Sequence, residues 1–552
     1  MRICLVTGWH LAEALRRAGH EVLALEPAGG ILAIDRLLPA GFRPDLFIQV
    51  ESLEARTLLE GLETLSCPSV FWSVDGHLNF AWQRHYGRLF DCLATTQPQL
   101  AEPFRAAGCR ADWLPWFAPE MPFVPHARRT REVGFVGRVT AQRPARRWLV
   151  EFLAGRHGAE HAGNLDYPAM LAFYQATRIA PNEAFGGEIN FRLFETAGAG
   201  CLALTPDAGP ALDELFVRGR ECMAYSHILE LDELLSFHRR RPEAAERLGR
   251  ASWEAVQTRH LAGHRAQRLL RLPAAGQSRG QGGEARKQLA LAAAALWRSG
   301  GLEAELSDIL GLLSARSGSP AVAAAALRLL VESGRFEAAR ALLTELAALP
   351  GLCRDTELSL TASLAALRLG DPLLAGRIYA ARARQHGCEV RSAAGPVDLC
   401  LAWAKALGPE TEVLTLGFAF DPARHLPQTA SQCLLAAQAL TPDDLRPVRR
   451  LSALLAGQPG TAALRLGLLS RLALAAPADW RLGLELGLAD LVAFRFESGL
   501  EELMLARERA VQAGRGEAFQ RLLRARDASG SVARSLGCEG SDAADTSARN
   551  PS

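Results

Sequence analysis

The chain has 552 residues, too many for one core and enough for three or four domains of ordinary size. An apolar fraction of 49% and a charged fraction of 22% are those of a globular protein and exclude a disordered or fibrous one. A formal net charge of +2 lacks the strongly basic footprint of a nucleic-acid binder.

The first 272 residues alternate short apolar runs with amphipathic segments. Ile3–Val6, Val22–Leu25, Asp45–Val50 and Val70–Val74 read as strands, being short, β-branched or aromatic and bounded by turn formers. Between them, Leu11–Ala18 (stopped at Gly19), Leu53–Leu65 and Asn79–Arg88 carry helical patterns. The alternation predicts a parallel sheet wrapped by helices. It pauses where Pro115, Pro119, Pro122 and Pro125 cluster, then restarts at Val133–Val136. A helix after Pro144, a strand near Arg178–Ala180, a helix from about Asn190 and a strand Cys201–Thr205 complete a second set. Two such domains are expected to face a cleft, where ligands of α/β proteins usually sit.

Residues 272–287 are rich in Gly, Ser and Gln and read as a linker. Beyond them the composition shifts to Ala, Leu and Arg with helical periodicity. Three related segments place glycine turns at Gly300, Gly334 and Gly370, spacings of 34 and 36 residues, close to a tetratricopeptide unit. Looser helix pairs follow around Gly457–Leu464 and Arg495–Leu503, and from about Ala528 the chain is polar and expected to be disordered. The expected domains are therefore 1–122 and 123–272 (both Rossmann-like), a linker at 273–287, a tetratricopeptide-like repeat domain at 288–527 and a tail at 528–552.

The eleven cysteines are scattered without a C-x-x-C pair, and the start places Glu13, Arg16 and Arg17 where a signal peptide needs apolar residues. No run approaches the ~20 apolar residues of a membrane span. A cytoplasmic protein with reduced thiols is expected.

Asn182–Thr205 (NEAFGGEINFRLFETAGAGCLALT) carries the most chemistry: a loop with Gly186 and Gly187, a helix, a stop at Gly200 and a buried strand. Such a helix N-terminus offers unpaired N–H groups and a positive dipole end to a phosphate. Arg192 would add charge-assisted bonds, and Glu195, one turn on, could accept two ribose hydroxyl bonds. The same stretch reads equally well as a core helix with a solvated Arg–Glu pair. In Phe71–Phe80 (FWSVDGHLNF), Asp75 should emerge at the carboxyl end of a strand, and with His77 it is a candidate general base. The alternative is that Asp75 caps the next helix. Seven arginines fall within residues 128–147 (128, 129, 131, 138, 143, 146 and 147), most of them expected on a solvated face and one or two expected to reach donor phosphates. There is neither a G-x-G-x-x-G nor a P-loop signature. His260 and His264, spaced i, i+4 without a third ligand, read as surface or packing residues; no metal site is expected.

The string INFRLFETAGAGCLALT, preceded by YPAMLAFYQATRIAPN and GFVGRVTAQRPARR, resembles the donor-binding half of GT-B glycosyltransferases, most of all the spore-maturation-protein (CgeB-like) group. The resemblance covers about residues 130–270 well and 1–125 loosely, where a W-x-x-D turn coincides with Trp72–Asp75; it does not reach the repeats. It implies that Glu195 binds the nucleotide ribose, that Asn190 and Arg192 lie near the diphosphate, and that Gly137 and Arg143 belong to the opposite loop facing the donor. Related retaining transferases carry a glutamate eight positions before the ribose-binding one; here that position is Gly187, and Glu188 is displaced by one. The expected catalytic set is Asp75, His77 and Glu188. The expected activity is sugar transfer from a nucleoside-diphosphate donor, UDP-linked, to an acceptor hydroxyl on a protein or surface glycan recruited by the repeats. No cofactor, metal, nucleic acid or membrane span is expected to take part. The alternatives are a transferase-like nucleotide-binding scaffold and, less naturally, a sugar-nucleotide epimerase.

Overall fold

The computed structural model describes all residues except 142, 273–281, 315–317, 350, 387–394, 409–416, 459–460 and 538–552. The described chain holds two parallel sheets of Rossmann-like type followed by an all-helical region, the expected class.

The chain divides into two compact units, one made of residues 1–116 and 262–454, the other of 117–261 and 455–552. In the first unit the strands are β1 (Arg2–Val6), β2 (Glu21–Leu25), β3 (Gly30–Ala33), β4 (Leu46–Val50), β5 (Thr57–Glu60), β6 (Ser69–Ser73), β7 (Cys92–Thr95) and β8 (Ala111–Trp113). Six of them form one parallel sheet in the order β2-β1-β4-β6-β7-β8. Its central strands are continuously buried, as a sheet covered on both faces requires; every residue of Leu46–Val50 is buried. The expected helix Leu53–Leu65 is not formed. Residues Thr57–Glu60 instead pair in parallel with β3 as a separate two-stranded sheet, and a short 3-10 turn follows at Leu62–Thr64. Leu58, Leu59 and Leu62 mimic helical spacing, yet all three are consumed by one core. After β6 the helix α1 (Gly76–Tyr86) begins three residues before its expected start.

The second unit contains β9 (Arg131–Val136), β10 (Glu160–Ala162), β11 (Thr177–Pro181), β12 (Leu202–Pro206) and β13 (Met223–Tyr225), all parallel in the order β10-β9-β11-β12-β13. Helices α2 (Pro144–His157), α3 (Tyr167–Gln175), α4 (Phe191–Gly198) and α5 (Ile228–Arg239) accompany it.

The helical region does not form a unit of its own. Gly300, Gly334 and Gly370 each end a helix in the left-handed conformation, with φ of 73°, 75° and 87°, and a second helix follows each turn. This is the helix–turn–helix pattern that the spacing anticipates. Leu289, Leu296, Leu313 and Leu329 of these helices enter the same core as Phe47, Phe71, Trp82 and Tyr86 of the first sheet and α1. Beyond residue 455, Trp480, Leu484, Leu491, Leu503, Phe519 and Leu523 share a core with Val133, Phe135, Leu204 and Leu231 of the second unit. Of the expected linker, residues 273–281 lie outside the described residues, and a helix starts at Gly282. Of the expected tail, 538–552 lie outside them, while Ser531–Ser535 is a short helix seated through buried Val532.

Candidate functional site

In the second unit, β9 and β11 deliver their carboxyl ends to the N-terminus of α4, the end of a parallel sheet at which ligands bind. Asn190 is the N-cap of α4: its Oδ1 accepts the Leu193 N–H at 3.2 Å. Its amide nitrogen donates to Asn182 Oδ1 (3.1 Å) and the Glu183 carbonyl (2.8 Å). The whole side chain is thereby committed to joining the loop 182–190 to the helix.

Arg192 follows in the first turn. Its Nε donates to the Val136 carbonyl at 3.0 Å, and Nη1 donates to Asn182 Oδ1 (3.1 Å) and the Glu183 carbonyl (3.0 Å). These bonds lock the guanidinium across the ends of both strands, over the Phe135 ring. Gly137 closes the other side. A Cβ there would lie 3.1 Å from Arg192 Nη2 and 3.3 Å from Arg146 Nη1, so a glycine lets the backbone pass between two cations.

Glu195 lies one turn beyond Arg192 and is 5% exposed. Burial pushes its pKa up to about 7, opposed by the Arg192 charge. A buried carboxylate held this way suits hydroxyl donors that would satisfy its charged form. Tyr167, at the start of α3, is its neighbour; burial, then the Glu195 charge, raises the tyrosine pKa.

Glu183, which sequence reading did not single out, completes the site together with Arg146. Glu183 receives Arg146 Nε and Nη2 on one carboxylate oxygen at 2.9 and 2.6 Å, an ion pair whose side chains are 7% and 3% exposed. Arg146 Nη1 donates to the Arg138 carbonyl, so the pair braces the β9–α2 loop. Arg146 belongs to an arginine-rich stretch most of which is expected on a solvated face; its burial is a tertiary effect with no local signature. Arg143 lies over the Phe185 ring at 4.9 Å. Glu188 accepts the Phe185 N–H at 3.2 Å; its pKa is raised by burial, with that bond and the Arg143 charge opposing. Gly186 and Gly187 both have positive φ (69° and 73°). A side chain at 187 would be strained there.

In the first unit, Asp75 and His77 stand at the start of α1. Asp75 occupies the N-cap position, but its side chain makes no capping hydrogen bond, so the capping alternative does not describe it. His77 is 4% exposed. The turn is held by Glu51, at the end of β4, whose Oε2 accepts the N–H groups of Val74 (3.0 Å) and Asp75 (2.9 Å), while Arg56 pairs with Oε1 at 3.3 Å. Burial raises the Glu51 pKa against those bonds and the Arg56 charge. At Gly76 a Cβ would meet Leu100 Cδ1 at 2.8 Å and Ser73 Oγ at 2.9 Å, so a side chain there would force those two side chains to move. His260 is a packing residue: Nε2 bonds the Leu215 carbonyl at 2.8 Å between Phe194 and Phe216.

The second unit's α/β part and its charged strand ends define the class. A family model described as glycosyl transferase-like matches residues 121–271, which span β9 to β13 and every charged group of that site, so this stretch is a glycosyltransferase-like domain. No curated protein matches the chain. Among solved structures, the chain is similar to a sucrose-phosphate synthase from Thermosynechococcus elongatus at 12% identity, over 49% of this chain and 98% of that one, with a TM-score of 0.36. It is similar to Anabaena HepE in complex with UDP-glucose at 11% identity, over 49% and 98% of the two chains, TM-score 0.34. It is also similar to a pneumococcal O-GlcNAc transferase, GtfA, in complex with UDP and GlcNAc, at 10% identity over 41% and 56%, TM-score 0.29. No helix among the described residues is long and apolar enough to cross a membrane.

Proposed function

We propose that the protein is a glycosyltransferase moving a sugar from a nucleoside-diphosphate donor, UDP-linked, to an acceptor hydroxyl on a protein or surface glycan in the cytoplasm. The observation that carries this reading is Glu195: a buried carboxylate with a raised pKa, one turn past a locked arginine at a helix N-terminus, inside a glycosyltransferase-like domain. A ribose diol supplies the two donors that such a carboxylate lacks.

The diphosphate sits at the N-terminus of α4, where the helix dipole, Arg192 and Arg143 meet the negative charge that grows on the leaving group. These fixed charges do the work without a metal in the donor site. Arg146 serves differently, since both its bonds to Glu183 hold the loop rather than the ligand. Asp75 takes the acceptor proton, with His77 beside it on the same turn. Glu188 stands in for the glutamate that the Gly187 backbone excludes, next to the donor sugar. The glycine-turn helices of the first unit receive the acceptor or its carrier. A nucleotide-binding scaffold is the competing reading, favoured only by Gly187.

The deciding measurement is nucleoside-diphosphate release from a panel of nucleotide sugars with cell extract as the acceptor source, for wild type and Glu195→Ala. Release by the wild type and its loss in the variant support transfer. Nucleotide binding without release from any donor overturns it in favour of the scaffold.

A further inference from the structure

A second cluster of donor atoms lies in the second unit, on residues unrelated to the donor site. His227 is the N-cap residue of α5, and Glu230 belongs to its first turn. Helices α6 (Gly516–Arg526) and α7 (Ser531–Ser535) come from the far end of the chain, and the turn between them brings Asp527 to the same place. His227 Nε2 is 3.6 Å from Glu230 Oε1 and 3.7 Å from Asp527 Oδ1, and the three donor atoms lie within 4.8 Å of one another. These separations are too long for hydrogen bonds. They are close to the roughly 3.3–3.6 Å between donors that share a tetrahedral cation at about 2.0–2.2 Å.

The orientation of each carboxylate is settled by its outer oxygen. Glu230 Oε2 accepts the Ser226 N–H at 2.6 Å, and Asp527 Oδ2 accepts the N–H groups of Val532 (2.9 Å) and Ala533 (3.1 Å). The inner oxygens therefore face the imidazole, the arrangement that outer hydrogen bonds impose on metal ligands. Ser529 Oγ donates to Asp527 Oδ1 at 3.0 Å, and Ser531 Oγ stands 3.4 Å from His227 Nε2. The His227, Glu230 and Asp527 side chains are 8%, 16% and 0% exposed. The His227 residue itself is more than nine-tenths buried, and it is Nε2 that faces the two carboxylates.

The contacts within the cluster are long: the two carboxylate oxygens stand 3.6 and 3.7 Å from His227 Nε2, and the bonds from Ser529 and Ser531 are the short ones to these atoms. Arg534, in α7, pairs with Glu233 at 2.8 Å. A groove of about 1030 Å³, lined in part by Glu230, Glu233, His238 and Ser529, adjoins the cluster and gives an ion and a water ligand a way in.

We propose that His227, Glu230 and Asp527 bind a divalent metal ion, zinc by the mixed nitrogen and oxygen donor set, which staples the C-terminal helices α6 and α7 to α5 of the glycosyltransferase-like domain. The role is structural and independent of sugar transfer.

The full-length protein, purified without chelator and without a metal-affinity step, is assayed for bound metals by mass spectrometry. The apo protein is then titrated with zinc chloride by calorimetry. One zinc per chain is expected, with binding at least ten-fold weaker in His227→Gln and in Glu230→Gln. EDTA should lower the Tm of the wild type and leave that of His227→Gln unchanged. Because the chain also carries thiols, the wild-type-to-variant difference is the readout. Zinc binding undiminished by both substitutions, or a metal-free wild type whose Tm zinc does not raise, overturns the proposal.

Discussion

The Asp75 backbone N–H donates to Glu51 Oε2 at 2.9 Å, so the turn that presents the proposed base is anchored by a carboxylate from a neighbouring strand. Glu51 also takes the Val74 N–H and pairs with Arg56. Glu51→Ala leaves the Val74 and Asp75 N–H groups without this acceptor and should cost about 2–6 kcal/mol, from roughly 1–3 for each group. Glu51→Gln, which keeps a carbonyl acceptor, should cost less. Thermal denaturation of the two variants checks the order, and turnover should fall further in Glu51→Ala than in Glu51→Gln.

Glu195 ties pH to nucleotide binding. Its folded-state pKa of about 7 lies above the ordinary carboxylate value, so the folded protein binds the proton more tightly than the unfolded chain. Its contribution to stability is therefore undiminished below about pH 4.3 and declines as pH rises towards 7. Glu195→Gln should be the more stable protein above pH 7, and equal to wild type near pH 4. Binding of UDP runs the other way. Affinity should rise between pH 6 and 8 as the carboxylate forms, and Glu195→Gln should lose both that pH dependence and about 1.5–3 kcal/mol of binding. Calorimetric titration with UDP at three pH values measures both.

Gly187 has a φ of 73°, which an L side chain adopts at a cost of about 1–2 kcal/mol. Gly187→Glu, although it places a glutamate eight positions before Glu195, should lower the Tm and fail to raise turnover. Glu188→Gln should lower turnover with little change in Tm. An active, unperturbed Gly187→Glu would show that the loop has a second accessible conformation.

The last helices belong to the core of the second unit and are not a detachable arm. Leu484 is fully buried in the core that also contains Val133 and Leu204. Leu484→Ala should cost about 2–5 kcal/mol. Scanning calorimetry should place the loss in the same transition that nucleotide stabilises.

Much of this was legible in the order of residues. Continuous apolar runs such as Ile3–Val6 announce a buried parallel sheet, because a sheet covered on both faces needs no polar alternation. The glycines at 300, 334 and 370 announce helix ends, because a left-handed turn favours the residue without a Cβ. Asn190 announces the start of α4, since a side chain that caps does so within three residues. These signals are local, and a sequence holds local information directly.

What only the tertiary structure decided are pairings between residues far apart in the chain. Leu53–Leu65 has helical spacing, yet Thr57–Glu60 became a strand because β3 offered unpaired backbone groups and the core took Leu58, Leu59 and Leu62 together. Arg146 left the solvated face because Glu183 could neutralise it in the interior. The helical region was divided between two cores because each α/β part presents an apolar face that its own helices do not cover. By itself the sequence determined most strands of two parallel sheets, the helix capped by Asn190 and the glycine turns at 300, 334 and 370. Burial then decided which charges are paired, which carboxylate is left with a raised pKa and which helices share a core, because the cost of removing a group from water depends on everything packed around it.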